Sequence, residues 1–201
     1  PATEGYQPLT VYLAVAEAEA VPGTSGRPFG CGDLLVPVQT VPTDTEDEAD
    51  AALDFLFADE RGWHGDPSLW NAVFDARETL TPTGHRREGD VEIFTFTGTV
   101  TPEDDCTAER IRAQLQATAA AFTSAGQVRL EVDGRDLDDV LGLEPLRLGE
   151  SVDVPQGDPT PSGEPSDGSG EQTWAPEGES SWGPAEPTQG TWSPAQEPST
   201  P

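Results

Sequence analysis

The composition of the chain breaks sharply near residue 150, and that break sets how much of it can build a core. The last segment, "SVDVPQGDPTPSGEPSDGSGEQTWAPEGESSWGPAEPTQGTWSPAQEPSTP", is dense in Pro, Gly, Ser, Thr and Glu and has almost no aliphatic residues. Such a stretch buries too little apolar surface to offset its ordering entropy, so residues 149–201 are expected to be a disordered tail. Its "TWAP", "SWGP" and "TWSP" place Trp174, Trp182 and Trp192 in a repeated Ser/Thr-Trp-small-Pro pattern. Two readings are open: aromatic docking points for a groove or a carbohydrate, or a duplicated low-complexity tail. Residues 1–8 then form a linker, and 9–148 are left for one domain.

Within 9–148 the apolar periodicity alternates between two kinds. In "LTVYLAV", Leu9, Val11, Leu13 and Val15 share one strand face, and "LLVPVQTV" alternates likewise, with Pro37 arguing for an edge or a bulge. "TEDEADAALDFLFADE" predicts a helix opened by a Thr45–Glu48 capping box, with Ala49, Ala52, Leu53, Leu56 and Phe57 on one face. A loop leads to two strands joined by "GHRREGD", the second being "VEIFTFT". A helix over roughly 107–122 follows, with Ala108, Ile111, Leu115, Thr118 and Phe122 in line. In "QVRLEV", Val128, Leu130 and Val132 point inward. The order β-β-α-β-β-α-β predicts an α+β domain, one sheet carrying two helices on one face.

Charge narrows the partners. Ten basic residues, all Arg, face 38 acidic ones for a formal charge of -28. A surface this acidic repels phosphate backbones and anionic membranes, so neither nucleic acid nor an acidic bilayer is an expected partner. No apolar run approaches the roughly 18 residues of a membrane span. The chain has no Met, so Pro1 is expected to be a processed or truncated end, with any signal peptide removed or left out. Arg without Lys points to a GC-rich genome, and surplus acid also fits a high-salt habitat.

Several pieces in this order resemble the GerMN domain, the sporulation and spore germination domain of bacterial envelope proteins. They are "LTVYLAV", "LLVPVQTVP" with the helix "EADAALDFLF", "GDVEIFTFTG", and "ERIRAQLQATAAAFTSAGQVRLEVDG". "CGDLLVPV" and "DCTAERIRAQLQAT" resemble a two-cysteine version found in secreted or lipid-anchored proteins. The resemblance spans residues 9 to 142. It implies a small α+β fold, an extracytoplasmic location and no enzymatic activity. Anchoring would run through a lipid-bearing segment missing from the N-terminal side. The implied partner is an envelope protein or cell-wall component, with self-assembly also open. The chain departs from the family in its longer "ERGWHGDPSLWNAVFDARETLTPTGHRREG".

If that fold is right, Cys31 and Cys106 lie in one core. A bridge between them would close a loop of roughly 75 residues and stabilise by about 4–5 kcal/mol on chain entropy. An even cysteine count fits an oxidising compartment. The alternatives are two reduced thiols in a cytosolic protein, a metal site or a catalytic thiol. His64 and His85 lack ligand spacing to either cysteine, and no motif supplies a base.

Other constellations are thinner. The acids of "TDTEDEAD" and "DGRDLDD" do not follow a calcium loop. No Ser sits in a G-x-S-x-G turn, and "GCG" lacks the rest of a dinucleotide fingerprint. No cofactor and no metal is expected. His85 reads as an exposed turn residue, beside Arg86 and Arg87, a positive spot for an acidic partner or the protein's own tail. Trp63 and Trp70, in "GWHGDPSLW", either contact a partner or sugar or cap the open end of the core. The expectation is a non-enzymatic envelope module for assembly or protein contacts, with a sporulation or germination role open. A peptidoglycan- or carbohydrate-binding module is the alternative, and an extracytoplasmic hydrolase comes third.

Overall fold

A computed structural model describes residues 6–65 and 69–155. The chain opens with β1 (Tyr6–Gln7), β2 (Thr10–Ala16), β3 (Ser25–Gly30), β4 (Asp33–Gln39), β5 (Thr43–Asp44) and helix α1 (Glu48–Ala58). The short β6 (Trp63–His64) and β7 (Leu69–Trp70) precede a 3-10 turn, Ala72–Asp75, and the long hairpin β8 (Leu80–Glu88) and β9 (Val91–Gly98). Helix α2 (Asp105–Ala120), β10 (Gln127–Val132), β11 (Arg135–Asp136), α3 (Leu137–Leu141) and β12 (Val152–Asp153) complete it.

The fold is α+β, as the periodicity predicts, but its strands divide among three sheets and a third, short helix is added. One sheet runs β12-β3-β4-β2-β7-β6, a second β11-β10-β9-β8, and β1 pairs with β5. Strands β9 and β10 are parallel, so α2 is the crossover between them. The reason for the division lies at Tyr12. Its carbonyl accepts from Gln114 Nε2 at 2.9 Å and its N–H donates to Thr118 Oγ1 at 3.1 Å. Side chains of α2 thus occupy a strand edge that another strand would otherwise fill.

The main core joins the elements the patterns marked. Leu9, just before β2, and Val11 and Leu13 of β2 meet Ala52, Leu53 and Leu56 of α1, Phe94 and Phe96 of β9, and Ile111 and Leu115 of α2. A smaller cluster on the other side of α2 joins Ala113 and Ala117 to Ala14, Phe29 and Leu35. Helix α2 is therefore buried on more than its apolar stripe, and Arg112, Gln114 and Thr118 lie inside with it.

Local chemistry differs from expectation at four places. Pro37 pairs with Tyr12, beyond Leu35 where the β3 register ends, so its missing N–H costs no ladder bond. The α1 cap is Asp47, whose Oδ1 accepts from the Asp50 N–H at 3.0 Å, while Thr45 turns back to Asp47. The β8–β9 loop is Gly89–Asp90, with Glu88 opposite Val91 and Gly89 at φ 63°, so "GHRRE" is strand and not turn. At the other end, β12 pairs with β3, and the Val154 N–H donates to the Thr24 carbonyl at 2.8 Å, past the break expected at 148. Trp174, Trp182 and Trp192 lie outside the described residues.

Candidate functional site

The GCG motif is a hairpin tip. Gly30 pairs with Asp33, leaving Cys31 and Gly32 as a two-residue loop with φ of 52° and 72°. Both central residues of a type I′ turn need positive φ, which explains a glycine at one of them and a short side chain at the other. Cys31 is bonded to Cys106, in the first turn of α2, with an S–S distance of 2.02 Å and Cα atoms 5.8 Å apart. Two residues on from Cys31, the buried Asp33 carboxylate is ion-paired with Nε of Arg110. Arg110 is one turn past Cys106 on the same helix face. A covalent bond and an ion pair therefore tie the hairpin to α2 side by side.

The Arg110 guanidinium lies over the Trp70 ring, 4.5 Å from its centroid. Trp70 stacks in turn on Trp63, with centroids 5.2 Å apart and planes 8° from parallel. The two are direct cross-strand partners of β6 and β7. Trp70 packs against the core, whereas Trp63 remains 53 % exposed. Trp70 thus caps the core, as one sequence reading has it, while Trp63 is left largely exposed.

A two-residue hairpin has little stability of its own, and this one is held from beneath. The Asn71 N–H donates to the Gly62 carbonyl at 2.7 Å, and Asn71 Nδ2 donates to the Leu56 carbonyl at 2.8 Å and to Asp59 Oδ2 at 3.0 Å. His64 Nε2 lies 2.7 Å from the same carboxylate oxygen. Burial pushes the Asp59 carboxyl up, but bonds from His64, Asn71 and the Arg61 N–H together hold it below its ordinary value. Gly62 sits at φ 69°, which favours glycine, and a Cβ there would stand a tight 3.1 Å from the Phe74 ring.

His85 is not an exposed turn residue. It sits in β8, stacked on Phe94 with centroids 4.9 Å apart. Its Nδ1 is 2.8 Å from Glu92 Oε1 and its Nε2 is 2.9 Å from Asp47 Oδ2. Ionised carboxylates only accept, so two of them flanking the ring favour its doubly protonated, charged form. Asp47 first, and then Glu92, hold its pKa above the ordinary value against the effect of burial. His85 lowers Glu92 in return, while Asp47 is lowered mainly by the Asp50 N–H and next by His85. Asp50 is raised by burial and by the nearby Asp47 charge. Asp47, Asp50 and His85 each bring a ligand-type atom within 4.8 Å of the others. Sequence spacing hid this group because His85 lies on β8, far along the chain from the two aspartates at the start of α1.

Arg86 does not offer a free positive spot, being paired with Glu88 at 2.9 Å and Glu131 at 3.0 Å. Arg87 donates to the Gly89 carbonyl and to Ser124 Oγ. An open groove of about 770 Å³ runs along α2 between Tyr12, Arg27, Gln116, Val128 and Leu148, and it includes neither cysteine and none of the histidine, tryptophan or Arg86 and Arg87 candidates named from sequence.

The fold and site define a disulfide-tied α+β domain presenting a braced tryptophan pair. No protein-family model and no curated protein sequence matches the chain. Among solved structures it is similar to the tandem GerMN domains of the sporulation protein GerM from Bacillus subtilis. The TM-score is 0.45 at 16 % sequence identity, over 77 % of this chain and 47 % of that one. The match thus spans about half the length of that chain.

Proposed function

We propose that the chain is a non-enzymatic, extracytoplasmic contact module of a bacterial cell envelope, and that Trp63 is its contact point. The observation that carries this reading is the half-exposed indole of Trp63, braced through Trp70 and Arg110 by the Cys31–Cys106 staple. Exposed tryptophan on a rigid support is the side chain that most often concentrates binding energy. The disulfide supports the location, since such bonds persist in oxidising compartments. An envelope protein or a cell-wall component is the partner class, and participation in sporulation or germination is the biological setting the GerMN resemblance brings with it.

The test has two readouts. Protein from its native source, alkylated under denaturing conditions without reductant, should show no added label at the monomer mass. A photo-reactive residue in place of the exposed Arg61 should then capture an envelope protein or wall fragment in intact cells. Two labels on the chain, or capture of cytosolic proteins alone, would overturn the reading.

A further inference from the structure

We infer that the free face of Trp63 is a stacking platform for the pyranose ring of a neutral glycan. This rests on Trp63 being the contact point and names what it contacts. Three observations select the ligand class.

First, the stack presents one wall and no slot. Trp63 and Trp70 lie nearly parallel with centroids 5.2 Å apart, so their facing surfaces are closed to any ligand. A quaternary ammonium is held in a cage of several aromatic walls, and a proline-rich helix in a groove between them. A single flat wall suits the flat C–H face of a sugar ring.

Second, the stack is already supplied with its cation. Arg110 lies over the Trp70 ring, and its charge is met by the buried Asp33. The column Asp33–Arg110–Trp70–Trp63 carries no net charge, so it offers an ionic ligand no uncompensated partner and leaves a neutral ring surface for C–H contacts. A polyanionic glycan is disfavoured by the formal charge of -28 on the chain.

Third, the wall is set in place before any ligand arrives. The Asn71 N–H bond to the Gly62 carbonyl and the His64 side-chain bond to Asp59 hold the residues on both sides of Trp63. Little ordering cost is then left for binding. Glu60 and Arg61, both exposed and close to Trp63 in the chain, are the polar side chains at hand for ring hydroxyls.

Calorimetric titration of the full chain with β-1,4-linked hexamers of N-acetylglucosamine and of glucose tests this. At least one hexamer should bind saturably. Trp63→Ala should weaken it about tenfold or more, the size of effect expected for a contact residue, and Trp63→Tyr should keep it within about threefold. Trp182→Ala should leave it unchanged, and unaltered melting of Trp63→Ala would show that the variant is folded. Binding of neither hexamer, equal binding by Trp63→Ala, or loss of binding in Trp182→Ala would overturn the inference. Failure to bind either sugar while a photo-reactive residue 61 still captures an envelope protein would remove the glycan and keep the contact module. Failure of both would remove both.

Discussion

Gln114 and Tyr12 meet through a hydrogen bond between a helix side chain and a strand backbone. Gln114 Nε2 donates to the Tyr12 carbonyl at 2.9 Å, while its Oε1 accepts from the Ala72 N–H at 2.7 Å. The side chain is fully buried. One amide therefore satisfies a β2 carbonyl and the start of the turn that carries the chain on from the tryptophan hairpin.

Replacing it with Met keeps the bulk and leaves both backbone groups unpaired. Each orphaned group costs about 1–3 kcal/mol, so Gln114→Met should lose roughly 2–5 kcal/mol in urea unfolding. A loss below about 1 kcal/mol would mean that these groups find other partners.

Opening the staple acts on the unfolded chain instead. With 75 residues between Cys31 and Cys106, the double variant Cys31→Ser/Cys106→Ser should lose about 4.5 kcal/mol by the chain-entropy relation. Reduction of the native protein should lower its melting temperature to that of the double variant. Equal stability of the oxidised and reduced protein would contradict this.

The His85 clamp predicts a stability maximum in mildly acidic solution. His85 is raised in the folded protein, so its contribution is complete below its unfolded pKa of about 6.5 and is lost as pH rises through the folded value. The raised Asp50 acts in the same direction, from its own lower range. Asp47 and Glu92 are lowered, so their contributions are present above about pH 4 and are lost as pH falls through their folded values. Melting temperature should peak between about pH 4.5 and 6.5, and His85→Gln should flatten the alkaline side. The variant should cost about 1–3 kcal/mol near pH 6, as expected for hydrogen bonds to charged groups. A wild-type profile with no fall from pH 6 to 8 would remove the clamp.

The tryptophan column predicts a spectroscopic signature. Parallel indoles in contact couple excitonically, so the native circular dichroism should show a couplet that Trp63→Phe abolishes with little change in melting. Arg110→Ala should weaken the couplet by loosening Trp70, since it removes a cation–π contact and leaves the buried Asp33 carboxylate unpaired. A couplet that survives Trp63→Phe would arise elsewhere.

Much of the frame was legible from residue pattern. Leu9, Val11, Leu13 and Val15 are all buried, as strand alternation requires, and so are Ala108, Ile111, Leu115 and Thr118 along α2. What pattern could not show is why Gln114 and Arg112, which read as a polar helix face, lie inside. Their partners are Tyr12, Ala72, Asp138 and the Glu144 carbonyl, on segments that local periodicity does not see. His85 was misread for a similar reason. "GHRREG" carries turn-like composition, yet the turn belongs to Gly89 and Asp90, and the imidazole is claimed by Asp47, 38 residues away. The candidate site was legible as residue types, Trp63 and Trp70. Their stacking depends on a cross-strand register, and its support on an arginine 40 positions further along.

The hairpin-tip disulfide also has a mechanical consequence. A protein pulled from its ends can lengthen only by the chain that is free to pay out. The bond between Cys31 and Cys106 withholds the 75-residue span between them, roughly 250 Å of extended contour at about 3.4 Å per residue. Helix α1, the tryptophan hairpin and the whole β8–β9 ribbon lie inside that span. Under tension the platform at Trp63 is thus shielded from direct load, and a tether attached at either end would be stretched before the surface it presents is torn apart.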